Sequence, residues 1–79
     1  MKLKGDNIAI TLKNLKDIFA LSINQRVSIS VYGSGATFIG RYESSTAWEV
    51  KNMPDNVWDM HVEMILFTSD NWLCVHVHA

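Results

Sequence analysis

From residue 11 to residue 19 the apolar positions recur at helical spacing. Leu12, Leu15, Ile18 and Phe19 fall at i, i+3, i+6 and i+7, while Lys13, Asn14, Lys16 and Asp17 take the other face. Thr11 stands just ahead of this run, where its hydroxyl can accept one of the free N–H groups of a first helical turn. The spacing predicts a helix over residues 12–21, ending near residues 22–24. Before it, Ile8, Ala9 and Ile10 read as a short strand or an extended lead-in.

The period then changes from helical to two. Val27, Ile29 and Val31 alternate with Ser28, Ser30 and Tyr32, which predicts a strand over 26–32 with one buried face. Gly33, Ser34 and Gly35 mark a hairpin turn, and a second strand is expected over 36–42. A two-residue Ser34-Gly35 loop sets Val31 against Phe38, Ile29 against Gly40 and Val27 against Tyr42, so that the apolar residues of both strands share a side.

Residues 43–52 carry no clear period. Ser44, Ser45 and Thr46 suit a loop or cap, and Ala47 to Val50 fit a helical turn or a short strand equally. Pro54 suits the first position of a helical turn running to about Trp58. A last hairpin joins 61–68 to 72–78 through Ser69, Asp70 and Asn71. Regular alternation puts Val62, Met64 and Leu66 beside Leu73, Val75 and Val77 on an apolar face that packs on the helix. His61, Glu63, Ile65, Phe67, Trp72, Cys74, His76 and His78 then share the opposite face.

These elements predict an α+β domain: one N-terminal helix on a mostly antiparallel sheet of about four strands, made of two hairpins with a short helical turn between them. The 79 residues hold one domain, which is expected to be only marginally stable by itself. Hydrophobic residues make up 48% of the chain and charged ones 19%, the reverse of a disordered composition. The net charge of −1 comes from scattered groups. It argues against a nucleic-acid footprint, and eight dispersed acidic residues are too few for a DNA mimic. A single cysteine allows no intrachain disulfide, residues 1–5 lack the apolar stretch of a secretory signal, and no apolar run is long enough to span a bilayer. The expected location is therefore cytoplasmic, with no membrane partner.

No arrangement in the chain reads as catalytic. Gly33-Ser34-Gly35 leads into a strand rather than a helix, which a phosphate loop would need. No serine sits in a G-x-S-x-G elbow, and Cys74 lies mid-strand with no fixed cation beside it. Lys13 and Lys16 are too few for a membrane-surface helix. No cofactor is expected. Two features of the last hairpin remain. His61, Glu63, His76 and His78 offer imidazole and carboxylate on one face, which are ligand types that zinc accepts; a solvated strand face accounts for them more simply, and no metal site is assigned. Ile65, Phe67 and Trp72 form an aromatic and aliphatic patch of the kind found in interface cores. Either this patch meets a partner or a second copy, or residues 44–58 fold over it and bury it.

The run Ile10-Thr11-Leu12-Lys13-Asn14-Leu15-Lys16-Asp17-Ile18 resembles the opening of many small proteins encoded by bacteriophages and prophages. In those, a threonine-capped helix precedes a strand like residues 26–32, a glycine turn, and a second strand ending near a glycine such as Gly40. The run Met53-Pro54-Asp55-Asn56-Val57-Trp58-Asp59-Met60-His61-Val62 is similar to their proline-started turn, and residues 71–77 to their final strand. The three tryptophans and the histidine-rich C-terminus depart from that pattern. Some such proteins block host defence systems by binding their components, anti-CRISPR proteins among them. The resemblance implies a small non-catalytic protein that acts by protein–protein interaction. The alternatives are a metal- or small-ligand-binding domain using the histidine cluster, and a structural subunit whose hairpin edges pair between chains.

Overall fold

The computed structural model of the protein describes residues 10–79. Helix α1 (Leu12–Ile18) is followed by strands β1 (Arg26–Gly33), β2 (Thr37–Ser44), β3 (His61–Phe67) and β4 (Trp72–His78). Single 3₁₀ turns lie at Ser34–Ala36 and Asp55–Asp59. The four strands form one open sheet in the order β2-β1-β4-β3. Each hairpin is antiparallel, and the two hairpins join through a parallel β1–β4 pair. The expected α+β architecture is what the chain forms. The short strand or extended lead-in expected at residues 8–10 falls largely outside the described residues.

The helix begins where its cap requires. The Asn14 backbone N–H donates to the Thr11 hydroxyl at 3.2 Å, and the Thr11 N–H donates back to the Asn14 side chain at 3.1 Å. This is a reciprocal capping box with Asn in place of the usual Glu or Gln. The helix stops at Ile18, three residues short of the expected end. Phe19 is already extended (φ −90°, ψ 112°), and its carbonyl accepts from the Trp48 indole N–H at 3.2 Å instead of from a further turn.

The core lies on one side of the sheet. Val27, Ile29 and Val31 of β1 and Leu73, Val75 and Val77 of β4 are at most 2% exposed, and they pack with Leu12 and Leu15 of α1. Burying side chains of this size stabilises the fold by about 1.5–3 kcal/mol each. Residues 45–60 lie on that same side: Met53 and Val57 are buried in the same cluster, with Trp48, Val50, Trp58 and Met60 partly buried against it. The stretch with no sequence period therefore thickens the layer that α1 begins, and among the described residues nothing packs on the other sheet face.

Two bulges change which residues share a face. In the first hairpin the connection takes three residues, with Gly35 and Ala36 at φ 66° and 60°, and the pairing skips Ile39. Each adds one position, so Val31 lies opposite Gly40, Ile29 opposite Tyr42 and Val27 opposite Ser44, two residues beyond the expected register. A shift of two keeps Gly40 and Tyr42 on the core side, but Phe38, ahead of the bulge, lies opposite Tyr32 on the open side. In the second hairpin the pairing skips Glu63. Val62 lies opposite Val77 as expected. Beyond the bulge, however, Ile65 and Phe67 lie opposite Val75 and Leu73 on the core side, while Met64 and Leu66 lie opposite His76 and Cys74. The expected face of β3 is thus inverted from residue 64 onward.

Candidate functional site

The open face is built from transverse rows of residues, because directly opposed residues in neighbouring strands point the same way. Arg26 stands beside Trp72. The next row runs Glu43, Ser28, Cys74, Leu66, and the one after it Arg41, Ser30, His76, Met64. The last holds Phe38, Tyr32, His78 and His61. None of these residues belongs to the core cluster on the helix side.

The middle rows form a shallow trough of about 360 Å³ whose floor is polar. Ser28 and Ser30 are 6% and 4% exposed, buried by their neighbours on the sheet. Each hydroxyl has a partner on β2. Ser28 Oγ donates to Glu43 Oε2 at 3.3 Å, and Arg41 Nε donates to Ser30 Oγ at 3.4 Å. These bonds hold one carboxylate and one guanidinium along the rim. Trp72 closes one end of the trough, with the Arg26 guanidinium 5.5 Å from its ring centre. At the other end His76 tilts against Tyr32 with ring centres 5.1 Å apart, and Tyr32 meets the edge of Phe38 at 5.6 Å. A second hollow of about 420 Å³ continues past His76, lined by Tyr32, Ala36, Glu63, Met64 and His78.

The turn beside Trp72 is tightly bonded. The Trp72 N–H donates to the Thr68 hydroxyl at 3.1 Å, and that hydroxyl donates to Asp70 Oδ1 at 2.6 Å. The Thr68 hydrogen bond, with Asp70's own backbone N–H and the Arg26 charge adding to it, holds the Asp70 carboxyl below its ordinary range. Gln25 Nε2 donates to the Asn71 carbonyl at 2.9 Å and so ties the turn to the start of β1.

The residues that the sequence grouped are divided between surfaces. Trp72 is on the open face, whereas the bulge at Glu63 carries Ile65 and Phe67 to the helix side. Of the four possible metal ligands, His61 and His78 are opposed, His76 lies opposite Met64, and Glu63 sits in the bulge. Among the described residues, no three or more His, Cys, Asp or Glu side chains are grouped so as to hold a metal ion. Sequence reasoning missed Arg41 and Glu43, which fell at the end of a strand and the start of the illegible stretch. The polar side of β1 was visible as Ser28, Ser30 and Tyr32, but only the parallel β1–β4 pair shows that it shares a surface with Trp72 and His76. No helix among the described residues is long and apolar enough to cross a membrane. No protein-family model, curated protein or solved structure matches the chain.

Proposed function

We propose that the protein is a non-catalytic binding module that holds a protein partner against the open face of its sheet. The carrying observation is that a sheet face with no covering element among the described residues presents Trp72, Tyr32, Phe38 and Arg41 together. The few residues that carry most of the binding energy in protein interfaces are enriched in tryptophan, tyrosine and arginine, each of which combines a large contact area with a polar handle. The polar floor adds directionality, since Glu43 and Arg41 give a partner one acceptor and one donor of fixed position. Inhibition of a host defence component is the biological role we attach to this binding, on the resemblance in the sequence alone.

The test places a photo-crosslinking residue in turn at Cys74, on the open face, and at Lys13, on the outer side of α1. Each chain is irradiated in extract of its native host. A discrete adduct from position 74 that is absent from position 13, and that is lost when Trp72→Ala is added, is the expected result. Adducts from position 13 alone, or from position 74 with no effect of Trp72→Ala, would refute the assignment. Trp72 is partly exposed, so the substitution leaves the core intact.

A further inference from the structure

We propose that a second copy of the chain adds to the outer edge of β3, antiparallel and about a two-fold axis, joining two four-stranded sheets into one of eight strands. β3 is the last strand of the sheet, and its outer edge is engaged, among the described residues, only at its start. There Val62 N–H donates to the Ile10 carbonyl and Leu12 N–H to the Met60 carbonyl, both at 2.9 Å, with Thr11 bridging His61. Beyond that point Met64, Ile65, Leu66 and Phe67 are 44, 38, 51 and 53% exposed.

The exposure is two-sided. Met64 and Leu66 lie on the open face, and Ile65 and Phe67 on the helix side. A layer packed on either face would cover only two of the four. A neighbouring strand covers all four, because its own side chains flank them on both faces. The protection of this edge lies at its start, in the bulge at charged Glu63 and the pairing with residues 10–12; beyond it Met64–Phe67 carries no lysine, proline or charge, whereas the other edge strand, β2, carries Arg41 and Glu43.

Self-complementarity selects a second copy as the occupant. A two-fold axis perpendicular to the sheet must pass through a residue paired with its own copy, since opposed residues share a face. An axis at Ile65 would drive the partner's Thr68 against Val62, where Ile10 already sits, and would set Glu63 against Phe67. An axis at Leu66 avoids both. It pairs Leu66 with Leu66, Ile65 with Phe67 and Met64 with Thr68, leaving no charged side chain within the paired run. Met64 and Leu66 also form the margin of the open face, but the partner-binding reading rests on Trp72, Tyr32, Phe38 and Arg41, none of them on β3.

The test is sedimentation velocity on the full chain over a concentration series. The wild type is expected at twice its 9.0 kDa mass. Leu66→Lys and Leu66→Glu, each placing like charges on the axis, are expected to weaken dimerisation by roughly tenfold or more. An equimolar mixture of the two variants should recover a dimer, which a merely misfolded variant could not do. A wild-type dimer that neither variant weakens would overturn the proposal, as would a wild-type monomer at every concentration. In the monomer case, hydrogen exchange identifies the true occupant: protection of the β3 amides that point away from β4 would assign the edge to the chain's own first nine residues, and their lack of protection would leave it to a different protein. Trp72→Ala should leave the dimer unchanged, so the two readings can fail separately.

Discussion

Deleting Glu63 should leave the protein folded. This residue is the extra one in β3: Val62 lies opposite Val77, Met64 opposite His76, and Glu63 opposite nothing in β4. Removing it joins Val62 directly to Met64 and restores an uninterrupted ladder in which every later residue keeps its present face. Its side chain is exposed, so little burial is lost, and one fewer residue has to be ordered, a saving of about 1–2 kcal/mol. Against this stands any strain in straightening the edge strand. The net change is expected within about 1 kcal/mol of wild type. The contrasting deletion is Cys74 in central β4, which has no bulge. There the residues beyond the gap change face, turning Val75 and Val77, both fully buried, to the open side and His76 toward the core. Losing the burial of two valines costs about 3–6 kcal/mol, before the cost of burying an imidazole. A 79-residue domain has only about 4–12 kcal/mol in total. Urea unfolding followed by tryptophan fluorescence measures both variants. If the Glu63 deletion lost more than about 3 kcal/mol, as the Cys74 deletion should, Glu63 would belong to a regular ladder and the assignment of β3 faces would be refuted.

Two further changes probe the turns. Ala36 sits at φ 60° in the first hairpin, a conformation a Cβ disfavours, so Ala36→Gly should stabilise by about 0.5–1 kcal/mol and Ala36→Val should destabilise, read as shifts in the urea midpoint. Asp70 has its carboxyl pKa lowered in the fold, chiefly by the Thr68 hydroxyl. Its charged form is therefore favoured by folding, and the stability it contributes is complete above the ordinary carboxyl range and lost as pH falls through the lowered folded value. Asp70→Asn should consequently reduce the loss of stability on acidification, measured as urea midpoints from about pH 6 to pH 2; an unchanged acid limb would show that this carboxylate is not coupled to folding.

The parts of the fold that were legible in the sequence are those set by local chemistry. Thr11 and the i, i+3, i+6, i+7 spacing place the helix start, and the alternation through Val27, Ile29 and Val31 identifies the core side of β1. What escaped was set by single extra residues and by tertiary contact. Alternation in β3 reads as unbroken from Val62 to Leu66 because Met64, Ile65, Leu66 and Phe67 are all apolar, and an apolar run has no phase of its own. Only the pairing with β4, where valine and histidine do alternate, fixes the phase and reveals the bulge. The helix end was misjudged for a related reason: Leu21 continues an apolar pattern, yet the Trp48 indole, 29 residues away, takes the Phe19 carbonyl. The candidate site was half visible. Trp72 could be singled out from the chain, whereas its neighbours Arg41, Glu43, Ser28 and Ser30 depend on the register of β1 with both β2 and β4.

The two proposals fit together through the physics of a small domain. A short chain buries a smaller share of its surface than a long one, and here α1 and residues 45–60 both pack on the same side of the sheet. Among the described residues the other face is left to polar and aromatic groups, with Met64 and Leu66 at its β3 margin. A two-fold axis perpendicular to the sheet keeps that face on the same side in both copies. The proposed dimer would therefore present two troughs side by side on one continuous sheet, with the β3 edges sealed between them. A partner with two equivalent sites would then meet both at once and gain avidity with no new contact. The edge that is hardest to leave exposed and the face that needs no cover would thus serve one purpose, the first by fixing the spacing of the second.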